Sequence, residues 1–232
     1  MKLLHAALEA GAEVESVFVG TDSDVSGSVA AALERAEAAG IRVHRLGPGV
    51  VEKVADTVTP QPVLAIVRTP VAGLEVLRGA TFVVVCVDVR DPGNAGAVIR
   101  SADAAGADAV VCCAGTVDPF NPKTVRAAAG SVLHVPVLSG VDPDAAFDAL
   151  GEAGLLRLAA LSHGGTPYTD VDLTRPLALV LGNEAAGLPV AVEHRLDGTI
   201  TIPLAGRAES LNVSMAAAVL CFAVREARAA PA

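Results

Sequence analysis

Short apolar runs alternate along the chain with segments whose apolar residues return every three to four positions. Val14–Gly20, residues 41–46 and Val63–Val67 read as strands, separated by an Ala-rich helix over 26–40 that ends at glycine and a short helix over 50–56. Another helix opens at Lys2. Residues 68–79 lose the rhythm, with mixed polarity and a Pro-Val-Ala-Gly interruption. A linker is expected there, over 70–79, between a unit of 1–69 and one of 80–232.

The second unit opens at 81–87 with a continuous β-branched run, the pattern of a strand buried on both faces of a parallel sheet. Asp91-Pro92-Gly93-Asn94 then reads as a turn and 95–106 as a helix. Ala109–Cys113 and 131–138 follow as strands, 143–153 as a helix, and 155–161, Leu177–Leu181 and 199–203 as further strands. A helix over 210–228 closes the chain before a frayed Ala-Ala-Pro-Ala tail. Strand, helix and strand in succession imply crossover connections, hence an α/β fold with a mostly parallel sheet covered on both sides. Ligands on such sheets sit beyond the carboxyl ends of the strands.

Composition narrows the classes. Half of the 232 residues are apolar (52%) while aromatics supply 3%, so the core is built from small and branched side chains. No apolar run approaches the roughly 18–20 residues that span a bilayer, and His5 and Glu9 interrupt the stretch where a signal peptide needs an apolar centre. A soluble, cytoplasmic protein is expected. Cys86, Cys112, Cys113 and Cys221 lie in apolar runs without C-x-x-C spacing and read as buried, reduced thiols, with no metal site. A net charge of −9 argues against bulk electrostatic coating of nucleic acid. Arg greatly outnumbers Lys, which leaves room for a local phosphate-binding cluster.

Three segments place polar groups directly after apolar strands. In the first, 91–100, Asn94 is placed to cap a helix and Arg100 lies six residues on, about 9 Å along the axis and roughly 240° around it, so the two do not share a face. An N-capped helix with a surface arginine is the ordinary explanation. In the second, Gly182-Asn183-Glu184 follows Leu177–Leu181, and Gly187 comes shortly after. Glycine lets a ligand approach the backbone, although a plain strand-to-loop turn also accounts for it. In the third, Ile202-Pro203-Leu204 leads through a polar loop to Ser210-Leu211-Asn212-Val213-Ser214. Ser210 is a sufficient N-cap, whereas Asn212 in a first turn competes with the helix unless it has another partner.

Together these segments resemble, in order and spacing, the three signature motifs of the SpoU/TrmH branch of the SPOUT methyltransferases: Asn94, Gly96 and Arg100; Gly182-Asn183-Glu184 with Gly187; Ile202-Pro203 with Ser210 to Ser214. The resemblance implies S-adenosylmethionine-dependent 2′-O-methylation of RNA ribose by a homodimer, without a metal. It implies a SPOUT α/β-knot, a deep trefoil knot in the C-terminal region, and a small N-terminal domain similar to ribosomal protein L30e that binds RNA. Carried over by position, the cofactor would meet Leu161, Leu181, Gly182, Asn183, Gly187, Ile202, Leu204, Ser210 and Leu211, with Asn212 adding a backbone contact. Arg100, Asn94, Glu184, Ser210 and Asn212 would form the catalytic set, with Arg100 orienting phosphate and hydroxyl at the cleft of the twin subunit. The basic arm and first strand usual in the family are not seen before the helix at Lys2; this counts against tight RNA binding or places the true start upstream.

Other readings compete. A nicotinamide-dependent dehydrogenase is disfavoured because Gly93-Asn94-Ala95-Gly96 lacks the full G-x-G-x-x-G spacing and no later ribose-binding acid is evident. A non-catalytic RNA-binding protein with a methyltransferase shell accords with the acidic charge but not with the intact motifs. Ribosomal RNA is the expected substrate and transfer RNA the alternative; no residue names the nucleotide or an antibiotic-resistance role.

Overall fold

The computed structural model describes residues 2–21, 25–55 and 61–229. The chain divides into two compact units, Met1–Pro70 and Val71–Ala232.

The first unit contains α1 (Lys2–Glu9), β1 (Val14–Gly20), α2 (Ser28–Ala38), β2 (Arg42–Leu46), α3 (Val50–Val54) and β3 (Val63–Val67). Its sheet has the order β2-β1-β3, with β2 parallel and β3 antiparallel to β1. Val17 and Val19 of β1 point into the core, where α2 meets them with Val29, Ala32, Leu33 and Ala36, the i, i+3, i+4, i+7 set of one helical face. The helix expected over 50–56 stops at Val54, and its last residue, Asp56, lies outside the described residues.

In the second unit, the 70–79 stretch includes a helical turn, Leu74–Leu77, whose Leu77 is buried in the core. Then come β4 (Phe82–Cys86), α4 (Pro92–Ala104), β5 (Ala109–Cys113), α5 (Pro122–Ala128), β6 (Val137–Val141), α6 (Pro143–Glu152), β7 (Leu156–Leu161), β8 (Thr166–Pro167), β9 (Leu177–Leu181), α7 (Val190–Glu193), β10 (Gly198–Thr201) and α8 (Val213–Ala229). The seven strands run in the order β6-β5-β4-β9-β7-β10-β8, and every pairing is parallel. Every residue of β4, β5 and β9 is buried, as expected for strands covered on both faces. Phe82, Val84 and Cys86 face the layer of α4, α5 and α8, while Val83 and Val85 face α6 and α7.

The second unit departs from the sequence reading most clearly at four places. Residues 131–138 are not one strand: Gly130, at φ 108°, starts a helical turn over Ser131–Leu133, and β6 begins only after Pro136. The amides of His134 and Val135 bond back to the Ser131 carbonyl, which removes them from the sheet ladder. Helix α5, unmarked in the sequence reading, is started by Asn121, whose side chain accepts from the Lys123 amide, with Pro122 at its first turn. Helix α4 begins at Pro92 and not at 95, because Asp91 is its cap and accepts from the Asn94 amide. The last helix begins at Val213 and not at 210.

The four cysteines are free and buried. Burial pushes the Cys113 and Cys221 thiols up to about 12, so both stay protonated near neutrality.

Candidate active site

Strands β9, β7 and β10 are neighbours and parallel, so the chain leaves all three at the same edge of the sheet. Their following loops, drawn from stretches far apart in sequence, enclose a cleft of about 370 Å3. That is within the roughly 300–1,000 Å3 typical of small-molecule sites. Leu161, Leu181, Gly182, Asn183, Glu184, Ile202, Leu204, Ser210 and Leu211 all border it.

The middle loop is shaped by Asn183 and two glycines. Asn183 and Gly187 exchange backbone hydrogen bonds of 2.9 and 3.0 Å, and Gly187 turns the chain at φ 71°. A Cβ on Gly182 would stand 2.7 Å from the Gly187 carbonyl carbon and oxygen, so only glycine permits this closure. The Asn183 side-chain oxygen Oδ1 accepts from the backbone amides of Ala185 and Ala186, and its side-chain nitrogen Nδ2 donates to the Asp88 backbone carbonyl at 2.9 Å. Asn183 therefore shapes the loop as well as lining the cleft. Gly187 closes the loop and is not itself on the cleft wall.

A second set of bonds joins all three motif segments. Asn94 donates to the Glu184 carboxylate at 2.9 Å and accepts from the Asn212 side-chain amide at 3.0 Å. Asn212 in turn accepts from the Ser214 amide at 2.9 Å and the Ser214 hydroxyl at 2.6 Å. Each asparagine donates in one direction and accepts from the other, so the chain of dipoles ends on a carboxylate at the cleft wall. This corrects the capping roles: Asn94 does not cap α4, because Asp91 does, and its side chain is freed for Glu184. Similarly Asn212, not Ser210, bonds the first turn of α8.

Arg100 stands apart. It is exposed on α4, does not border its own chain's cleft, and makes no hydrogen bond or ion pair among the described residues.

Ser162 and His163, in the 161–165 loop that the family resemblance implies as a wall of the site, also line the cleft, as does Glu209, which sequence reasoning missed. Nothing in the residue type of Glu209 marks it; only its place in a loop that converges on the others does so. Sequence reasoning also missed Asp88, a non-glycine residue at φ 58° whose carbonyl anchors Asn183.

The cleft suits a ligand with an apolar ring system and a polar tail. Leu161, Leu181, Ile202, Leu204 and Leu211 supply apolar wall, and Glu184 and Glu209 supply negative charge for a cationic centre. Among the described residues, the backbone of 204–211 pairs with no other backbone group, so its amides and carbonyls are available to a ligand.

Residues 81–222 match the profile of the SpoU rRNA methylase family. The chain belongs to that family. Residues 1–71 match a second profile, RNA 2′-O ribose methyltransferase substrate binding. Among relatives, the 23S rRNA (guanosine(2553)-2′-O)-methyltransferase RlmP of Bacillus subtilis is 40% identical over 186 residues, spanning 80% of this chain and 73% of that protein. The 23S rRNA (uridine(2479)-2′-O)-methyltransferase of Streptomyces viridochromogenes is 37% identical over 175 residues, or 72% of this chain and 61% of that one. Among solved structures, the AdoMet-bound rRNA methyltransferase of Sinorhizobium meliloti superimposes with a TM-score of 0.83 at 32% identity, covering 97% of this chain and 85% of its own. The SpoU methyltransferase AviRb of S. viridochromogenes, in complex with AdoMet, gives 0.85 at 29% identity, covering 98% and 88%. The chain thus has the fold of the SpoU methyltransferases.

Proposed function

We propose that the protein transfers a methyl group from S-adenosylmethionine to a ribose 2′-hydroxyl of 23S ribosomal RNA, in the cytoplasm and as a homodimer. The observation that carries this reading is the convergence of the 161–163, 181–185 and 202–211 loops on one cleft, tied to α4 through Asn94, Glu184 and Asn212. The relatives named as 23S rRNA 2′-O-methyltransferases support the substrate.

Bound in the cleft, the cofactor supplies an electrophilic methyl group on a sulfonium. Leu181, Ile202, Leu204 and Leu211 would hold the cofactor's apolar parts, Gly182 would let the backbone of the loop that Gly187 closes come close to it, and Glu184 would offer negative charge to its cationic centre. Leu161, Asn183 and Ser210 complete the wall. Arg100 orients the phosphate and the attacking hydroxyl; a guanidinium keeps its proton at neutral pH and so makes a poor free base. Placement of the reacting groups supplies much of the acceleration, which is why the side chains of Asn94 and Asn212 are tied together and not left free.

The dimer is supported by α8. Met215, Val219 and Phe222 recur at four- and three-residue spacing and remain exposed at 64%, 40% and 38%, while Ala217, Leu220, Cys221 and Val224 of the same helix are buried. An apolar stripe on a helix beside the site is a surface for a second copy, related by a two-fold axis. In that assembly Arg100 of one protomer faces the cleft of its partner, which explains its exposure here. The N-terminal unit binds RNA, and the chain after β10 passes beneath the 162–165 connection in the manner of the knotted SPOUT fold. Support for the threading is that β10 lies between β7 and β8 although these two are consecutive in the chain, with Gly165 packed on the Ile200 carbonyl.

Calorimetric titration with S-adenosylmethionine, followed by tritiated-methyl transfer to 23S rRNA, tests the reading. Arg100→Ala should bind the cofactor normally and abolish transfer. Retained transfer removes Arg100 from the mechanism, and absence of cofactor binding by the wild type overturns the function.

A further inference from the structure

A second cleft, of about 330 Å3, opens at the carboxyl ends of β4 and β5, walled by the start of α6 and by α7. The motifs do not reach it. Its surface is mostly apolar, with Pro143, Phe147, Pro189 and Val192, and Arg90 and Arg195 stand in its lining. The two guanidinium groups differ in their availability. Arg195 is engaged by both Asp144, at 3.0 Å, and Asp148. Arg90 uses only its Nε, donating to Asp88 at 2.8 Å; among the described residues its two terminal nitrogens meet no acceptor, and its side chain is 73% exposed.

Asp88 makes the cleft more than a surface hollow. It is one of two non-glycine residues recorded at positive φ among the described residues, at 58°. Such strain persists only where surrounding contacts hold it. Here Asn183 of the cofactor loop donates to the Asp88 carbonyl at 2.9 Å and to its carboxylate at 3.3 Å, while the other carboxylate oxygen holds Arg90. One residue thus fixes the cofactor loop and Arg90 together.

We propose that this cleft takes an unpaired guanine base of the substrate RNA, close to the methylated nucleotide. The proposal rests on the methyltransferase reading above and names a feature of its substrate. The carboxylates of Asp88 and Asp144 disfavour a phosphate in the cleft, whereas the apolar wall suits the faces of a neutral ring. Two parallel N–H donors on one guanidinium edge match the adjacent O6 and N7 acceptors of guanine; adenine presents a donor at one of those places and uracil lacks the pair. Single-stranded segments of RNA offer such bases unstacked.

The test uses the full chain and three labelled RNA hexamers: oligouridine, the same with one central guanosine, and the same with one central adenosine. Fluorescence anisotropy should show the guanosine hexamer binding about tenfold or more tightly than the others. Both Arg90→Gln and Arg90→Lys should remove that preference, since lysine keeps the charge but lacks the paired donors. Both should leave the melting temperature and the calorimetric affinity for S-adenosylmethionine unchanged, because Arg90 is exposed and outside the cofactor cleft. A wild type without guanosine preference, a loss equal for all three hexamers, or full preference in Arg90→Lys overturns the proposal. If cofactor binding persists in that event, the guanine site alone falls; if the wild type binds no cofactor, the parent reading falls with it.

Discussion

Gly96 sits where α4 and α5 touch. A Cβ there would lie 2.5 Å from the Thr124 carbonyl oxygen and 2.6 Å from the Ala127 Cβ, both parts of a helix with no flexible end to move aside. Gly96→Ala should therefore destabilise the protein by roughly 1–3 kcal/mol, the usual range for overpacking, as read from denaturant unfolding. An unchanged midpoint would mean that α5 can retreat freely. Gly182 is constrained differently, because its neighbour is the backbone of its own loop. Gly182→Ala should weaken S-adenosylmethionine binding at least about tenfold in calorimetry, as a displaced loop forfeits about 1.4 kcal/mol or more of contact, while most of the fold's stability remains. Both glycines stood in motifs legible in the sequence, but the reason for each was not: one separates two helices and the other admits a carbonyl. Asn94 teaches the same lesson, since residue type suggested a helix cap and the structure assigns that place to Asp91.

Among elements, β10 depends on a fork at its start. Asp197 accepts from Arg157 at 2.7 Å and 2.8 Å through the guanidinium and at 2.9 Å through the Arg157 amide, locking the entry of β10 beside β7. The Arg157 guanidinium holds the Asp197 carboxyl below its ordinary range. A carboxyl whose folded pKa is depressed stabilises the fold above its unfolded pKa of about 3.9 and loses that contribution as pH falls through the folded value. Asp197→Asn should lower stability at neutral pH by about 1 kcal/mol, since the pair is partly screened, and should flatten the decline of stability below about pH 4. An acid limb identical to wild type would assign that decline to other carboxyls. The strands themselves were plain in the sequence wherever they are buried on both faces, as with β4, β5 and β9. Residues 131–138 misled because an apolar run of that length suits a helical turn as well as a strand, and Gly130 with backward bonding to Ser131 decided for the turn.

At the scale of the molecule, the exposed α8 stripe leads to a prediction about assembly. Phe222→Glu places a charge on that stripe beside Arg225, whose guanidinium lies 5.6 Å from the Phe222 ring centre. Sedimentation should then show monomers that still bind S-adenosylmethionine, because the cleft is formed within one chain, but transfer no methyl group to RNA. An active monomer would place Arg100 outside the reaction as drawn. The sequence alone determined the α/β class, the buried strands and the three polar segments, since these follow from local periodicity and from residue types that recur at fixed spacing. It could not determine that β10 inserts between β7 and β8, that Asn94 reaches Glu184 and Asn212 across 90 and 118 residues, or that Asp88 serves two clefts. Those relations join residues distant in the chain, and only the close packing of parallel neighbours, which brings several strand ends to one edge, selects them.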